Sequence, residues 1–173
     1  FQMLSQCRLL HEDIGAGTGQ GRTTAMAALS SQCETAVLVC GTKVLDTVQE
    51  GMLRDAIGEE YLRRISPEWQ SYLGPYFRNL YHLFKLVDTQ GWMSEEDKRR
   101  YANLARAHLS NADLITLAVN CCSTPGAGFR PLVERYGLLK HLEMPGDVGD
   151  WLRKCYDPSA FQGAAPANQS GSL

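Results

Sequence analysis

Two arginine–histidine pairs could carry acid–base chemistry on a phosphate group. Arg78 and His82 are four residues apart, about one helical turn, and Arg106 precedes His108 by two residues. An arginine can stabilise the charge of a phosphorane while a histidine transfers protons. The four residues therefore suggest a metal-independent ribonuclease as one hypothesis.

The spacing of these pairs nevertheless favours structural or surface roles. Three residues separate Arg78 from His82, whereas such nucleases place four to six residues between the two side chains. His108 falls on the same predicted helix face as Tyr101 and Leu104, and a histidine on an apolar face is expected to be a buried core residue.

Several other polar residues interrupt otherwise apolar patterns. A buried arginine or asparagine requires partners, because an unpaired buried polar group costs about 1–3 kcal/mol. Such residues either join helices or line a pocket. Together with the polar stripe of the helix around residue 80, the candidate interaction or polar-network residues are Arg78, Tyr81, His82, Lys85, Arg106, Asn120 and Tyr136.

Neither the glycine-rich segment nor the cysteines predict a cofactor or a metal site. The segment from Gly15 to Gly21 approaches a phosphate-binding loop, but Ala16 and Arg22 stand where the first glycine and the lysine belong. We therefore expect a linker between helices. The six cysteines lack the spacing of zinc ligands and are predicted to be buried free thiols of a reducing compartment, including the pair Cys121-Cys122.

The charge of the chain disfavours a broad nucleic-acid or anionic membrane surface. The 17 basic and 19 acidic residues give a formal net charge of −2. Only a local basic edge, formed by Lys98, Arg99, Arg100 and Arg106, could contact nucleic acid. The chain has no apolar run of the roughly 18 residues needed to cross a bilayer.

Apolar residues recur at helical spacing, which predicts an all-α fold: a single irregular bundle of six to eight helices. The clearest helix begins at Pro75, and Asp113 to Cys122 predicts a central helix that is apolar nearly all round. Gly41 and the pair Gly74-Pro75 are predicted to interrupt helices. The apolar stripe of the clearest helix consists of Phe77, Leu80, Tyr81, Phe84 and Val87.

One helical domain is expected over residues 1–157, followed by a disordered tail at 158–173 that is rich in Ala, Gly, Ser, Gln, Asn and Pro. The chain begins at Phe1, already within a helical pattern, so we expect it to be part of a longer protein.

Four ordered blocks resemble the phage abortive infection protein family. Residues 76–85, YFRNLYHLFK, resemble the family segment YFR-x-LY-x-x-x-K. The blocks 101–110, 113–120 and 129–139 follow in the family's order, and the resemblance covers about residues 1–142. It implies a bacterial antiviral role in which infection triggers arrest or death of the host cell. It implies no reaction, so no catalytic residue is transferred to this chain.

The resulting hypothesis is a helical sensor or interaction domain without an evident catalytic set, with a protein partner or self-association. The resemblance implies a cytoplasmic segment that reaches a membrane only through upstream helices, which such proteins commonly carry. The alternatives are the ribonuclease that uses Arg78, His82, Arg106 and His108, and a purely structural assembly domain.

Overall fold

A computed structural model describes residues 19–44, 50–65 and 67–162, and every regular element in these ranges is helical. Two 3₁₀-helices, Ala127–Phe129 and Pro158–Phe161, accompany seven α-helices in the described ranges. This architecture confirms the all-α prediction. The α-helices are α1 (Gly19–Val44), α2 (Glu50–Arg64), α3 (Pro67–Thr89), α4 (Glu95–Arg106), α5 (Asn111–Cys122), α6 (Arg130–Arg135) and α7 (Gly146–Arg153).

Helix α5 is the centre of the fold, as its apolar composition predicts. It packs against α1 and α2, while α1 also contacts α2 and α7. Every residue from Asp113 to Val119 is buried. The Ser110 hydroxyl and the Asp113 carboxylate form a capping box, which satisfies backbone N–H groups at the first turn of α5.

The predicted interruptions at Gly41 and at Gly74-Pro75 are wrong, because α1 and α3 continue through them. A Cβ atom at Gly41 would overlap the Trp151 ring, so this glycine permits close packing of the indole. Gly74 has no Cβ to meet the ring of Pro75, which removes one of the clashes that usually end a helix before proline. Pro75 itself is exposed.

The structure also assigns two segments around α1 differently from the sequence pattern. The run from Ala36 to Cys40, which fits either a strand or a helix end, lies inside α1. Helix α1 begins at Gly19, so the predicted glycine loop does not extend to Gly21, and residues 1–18 lie outside the described ranges.

The folded part extends beyond the predicted boundary at residue 157. Residues Pro158–Phe161 form a 3₁₀-helix in which Ala160 is buried. The backbone N–H of Leu139 donates to the Ala160 carbonyl at 2.9 Å, which attaches this segment to the chain after α6. Residues 163–173, the rest of the predicted tail, lie outside the described ranges.

Five cysteines in the described ranges are buried and free, as predicted: Cys33, Cys40, Cys121, Cys122 and Cys155. Burial raises the pKa of the Cys33 thiol to about 12. Cys7 lies outside the described ranges. None of the helices described has both the length and the apolar composition required to cross a membrane.

Candidate functional site

A cleft of about 530 Å³ opens between the end of α2, the first half of α3 and the turn that follows α5. Its volume falls within the range of roughly 300–1,000 Å³ that is typical of small-molecule sites. The rim contains the exposed residues Arg78, Pro125 and Gly128. The buried residues of the floor are Tyr61, Ile65, Leu73, Phe77, Gly126 and Phe129.

Two walls of the cleft come from helix faces. Ile65 directly follows α2, and its backbone N–H donates to the carbonyl of Tyr61, four residues earlier, at 3.0 Å. Leu73, Phe77 and Tyr81 on α3 are also spaced four residues apart. Residues at this spacing share one side of a helix, so each helix presents a continuous apolar strip to the cleft.

The third wall is the turn between α5 and α6. The backbone N–H and the hydroxyl of Ser123 both donate to the Asn120 carbonyl, at 3.0 and 2.6 Å. Gly126 lies against the same carbonyl, where a Cβ atom would overlap the oxygen and lie 2.6 Å from Asn120 Nδ2. Only glycine fits there, and the close contact brings Pro125 and Phe129 into the cleft wall.

Two nitrogen groups face an otherwise apolar cleft. The Tyr61 hydroxyl donates to Asn120 Oδ1 at 3.4 Å, and burial raises the pKa of Tyr61, which keeps that hydroxyl protonated. Among the residues described, no group accepts from Asn120 Nδ2, and Arg78 makes neither a hydrogen bond nor an ion pair. The cleft therefore offers an amide donor and a guanidinium to a bound molecule.

His82 and Lys85 lie on the exposed side of α3, next to the cleft residue Tyr81. The Lys85 ammonium donates to the Tyr81 hydroxyl at 2.8 Å, and this hydrogen bond raises the pKa of Lys85. The His82 ring packs against the Tyr81 ring with the centroids 5.3 Å apart. Arg78 and Lys85 thus place two cationic groups on this side of α3 with the His82 ring between them, and the three residues are called the cationic strip.

A row of aromatic rings connects the cleft to Tyr136. Centroid distances are 5.7 Å from Tyr81 to Phe129, 5.9 Å from Phe129 to Phe84 and 6.2 Å from Phe84 to Tyr136. All three distances fit ordinary aromatic packing, so the row of four rings supports the α3 wall from behind.

Tyr136 lies in a polar network that joins three helices. Its hydroxyl donates to Asp88 Oδ1 at 2.8 Å, and Arg135 pairs with both Asp88, at 3.1 Å, and Glu95, at 3.0 Å. Lys98 also pairs with Glu95, at 2.9 Å. Burial and the Asp88 carboxylate raise the pKa of Tyr136. The network fixes the end of α3 relative to α4 and α6.

Arg106 occupies a separate buried position at the end of α4. Its Nη1 donates to the carbonyl of Gly137 at 2.9 Å, and burial lowers the pKa of the guanidinium. Gly137 has a φ of 57°, a left-handed conformation that favours glycine. Arg106 therefore connects α4 to the turn after α6 and does not line the cleft.

The predicted burial of His108 is wrong, because its side chain is exposed just after α4. Tyr101 and Leu104, assigned to the same face, are also exposed, by 43% and 44%. The buried face of α4 is formed instead by Lys98, Ala102 and Arg106. The aliphatic stems of the lysine and the arginine pack inward while their charged ends find partners, and a count of apolar residues does not detect this.

Of the seven predicted residues, the structure thus gathers Arg78, Tyr81 and Asn120 in one cleft. Tyr61 and Gly126 belong to the same site but were not among the predicted residues. Tyr61 has the spacing of a core residue, and no local pattern reveals the close approach of Gly126 to the end of α5. Within the ranges described, no group of three His, Cys, Asp or Glu side chains could hold a metal ion.

The described fold and site define a class of protein: an all-α domain with a ligand-sized, largely apolar cleft. Comparison with known families makes the class more specific, since residues 68–145 match the family described as "Putative phage abortive infection protein". This match confirms the resemblance for the four blocks between residues 76 and 139, and it spans nearly all of α3 and the whole of α4, α5 and α6. No curated protein and no solved structure matches the chain.

Proposed function

We propose that this chain is a helical sensor or interaction domain of a bacterial anti-phage abortive infection protein. The match over residues 68–145 supports the defence role. The arrangement of buried and exposed residues on α3 supports partner recognition as the activity of the domain.

The observation that carries the proposal is the division of α3 into two faces. Phe77 and Phe84 are buried in the core, whereas Arg78, His82 and Lys85 are exposed on the same helix. A helix fixed by its apolar face presents the other face without a large ordering cost on binding, which favours specific recognition. The cationic strip therefore suits a protein partner with an acidic contact surface.

Charge reversal on the strip tests this function in cells. Lys85→Glu should lower phage protection by at least about tenfold, because like charges across an interface cost several kcal/mol. Lys140→Glu, at an exposed position after α6, is the matched control and should protect like the parent. Circular dichroism of both purified variants verifies that they fold.

Equal protection by Lys85→Glu and the parent would refute the role of the strip. Recovery of an acidic protein partner from phage-infected cells by the parent, and not by Lys85→Glu, would support it. Degradation of bulk RNA by the purified chain, abolished by His82→Ala, would instead favour the ribonuclease hypothesis.

A further inference from the structure

We propose that the cleft between α2, α3 and the α5–α6 turn binds a small molecule with a flat apolar body and one anionic group. The inference deepens the proposed function, since such a ligand would be the signal that the domain senses. Its biological role rests on that function, whereas binding itself does not.

The shape and lining of the cleft call for a flat apolar body. Four aromatic side chains contribute to the walls, and the other lining side chains are aliphatic except for Arg78 and Asn120. Aromatic walls favour offset or edge contacts with a planar ligand. The volume of about 530 Å³ suits a molecule of drug or metabolite size. The aromatic lining residues are Tyr61, Phe77, Tyr81 and Phe129.

The charge of the lining calls for an anionic group. Arg78 stands at the rim with no ion pair among the described residues, and no aspartate or glutamate of that part of the chain lines the cleft. A guanidinium binds carboxylate, sulfonate and phosphate groups through paired hydrogen bonds. A cationic ligand would find no opposite charge in this lining.

Asn120 adds a positioned donor deeper in the site. Its Oδ1 accepts from the Tyr61 hydroxyl, which orients the amide, and its Nδ2 finds no acceptor within the described ranges. Ser123 and Gly126 hold the backbone of the same residue in place. A donor fixed in this way requires little ordering when a ligand binds.

A matched pair of fluorescent probes tests the inference on the 173-residue chain. The anionic probe is 8-anilinonaphthalene-1-sulfonate, and N-phenyl-1-naphthylamine is a neutral probe with a similar aromatic body. Arg78→Gln should weaken binding of the sulfonate about tenfold and leave the neutral probe unchanged, because only the charge-assisted hydrogen bonds are lost. Arg99→Gln, outside the cleft lining, should change neither titration.

A second variant tests the location. A Cβ atom at Gly128 meets nothing within 4 Å, so Gly128→Leu should fold and extend its side chain at the cleft rim. It should weaken both probes at least about tenfold. Gly91→Leu is the control, since Gly91 also has open space around it and does not line the cleft.

Three results would overturn the inference: no binding of the sulfonate by the parent, unchanged binding by Gly128→Leu, or an equal loss of both probes in Arg78→Gln. The last result would indicate that Arg78 maintains the shape of the cleft and does not bind the anionic group. Loss of phage protection in Lys85→Glu, whose side chain does not line the cleft, would still support the interaction function after a failed titration. If both probes titrate as expected but Lys85→Glu protects fully, the binding site would be supported and the role of the cationic strip would be refuted.

Discussion

Two glycines of the turn that closes the cleft should respond to alanine in opposite directions. Gly126 is buried against the Asn120 carbonyl, whereas Gly128, two residues later, is exposed with nothing within 4 Å of a new Cβ. Neither glycine has a positive φ, so the backbone accommodates alanine at both sites. The pair therefore isolates the effect of a single steric contact.

The expected magnitudes follow from two contributions. Alanine reduces the conformational freedom of the unfolded chain, which stabilises the fold by about 0.4–1 kcal/mol at either site. At Gly126 the new methyl group also overlaps the Asn120 oxygen, which is held by two hydrogen bonds from Ser123 and cannot retreat easily. Overpacking of this kind costs about 1–3 kcal/mol. The free energies of unfolding of Gly126→Ala and Gly128→Ala should therefore differ by about 1–3 kcal/mol.

Thermal and urea denaturation of the two variants and the parent measure this difference. For a chain of this size, 1 kcal/mol corresponds to about 2–4 °C in Tm. Gly128→Ala should melt at or slightly above the parent, and Gly126→Ala several degrees below Gly128→Ala. A Gly126→Ala variant that melts at or above Gly128→Ala would show that the turn does not press against the end of α5. The third wall of the cleft would then be wrongly placed.

Other variants and probes test the surrounding packing. Tyr136→Phe should lower the free energy of unfolding, measured by urea denaturation, by about 1–2 kcal/mol, because the Tyr136 hydroxyl bonds to the charged Asp88. The control Tyr101→Phe, on the exposed face, should lie within about 0.5 kcal/mol of the parent. Equal losses of unfolding free energy in the two variants would contradict a stabilising bond between Tyr136 and Asp88. Neighbouring cations hold the pKa of Glu95 below its ordinary 4.5 in the folded state, so its stabilisation is present above that pH and disappears as pH falls through the folded pKa. The free energies of unfolding of the parent and Glu95→Gln should therefore differ only slightly near neutral pH, because Glu95 is exposed, and the difference should vanish in acid. A difference that does not depend on pH would refute the ion pairs. Iodoacetamide at about pH 8 should leave Cys33 unmodified in the native chain and label it in urea, because Cys33 is buried and its pKa is about 12. Mass spectrometry measures the labelling, and rapid labelling of the native chain would place Cys33 outside the core.

Local features of the sequence identified the helices whose determinants lie within one or two turns. The apolar spacing of residues 77–87 predicts the face of α3 that is buried, and Ser94 and Ser110 cap the first turns of α4 and α5 from positions next to these helices in the chain. These features succeed because side-chain spacing and capping act between residues that are close in the chain. The family resemblance was also visible in the sequence alone, since its four blocks between residues 76 and 139 lie within the matched residues 68–145.

The same local rules fail where a distant element supplies the deciding contact. Gly41 has the sequence of a helix end, but the Trp151 ring packs on it and α1 continues. Local apolarity likewise assigns His108 to the core, whereas the stems of Lys98 and Arg106 fill the inner face of α4. The Arg106 guanidinium can lie there because the Gly137 carbonyl, beyond α6, accepts its hydrogen bond.

The candidate site follows the same division. By itself the sequence determined an all-α chain, a helix with an apolar stripe and a separate polar stripe, and a set of polar residues that required partners. Only the tertiary structure decided that Arg78, Tyr81 and Asn120 share a cleft with Tyr61, while Arg106 is buried elsewhere. The physical reason is that a cleft depends on how helices pack over long separations in the chain, which spacing within a single helix does not encode.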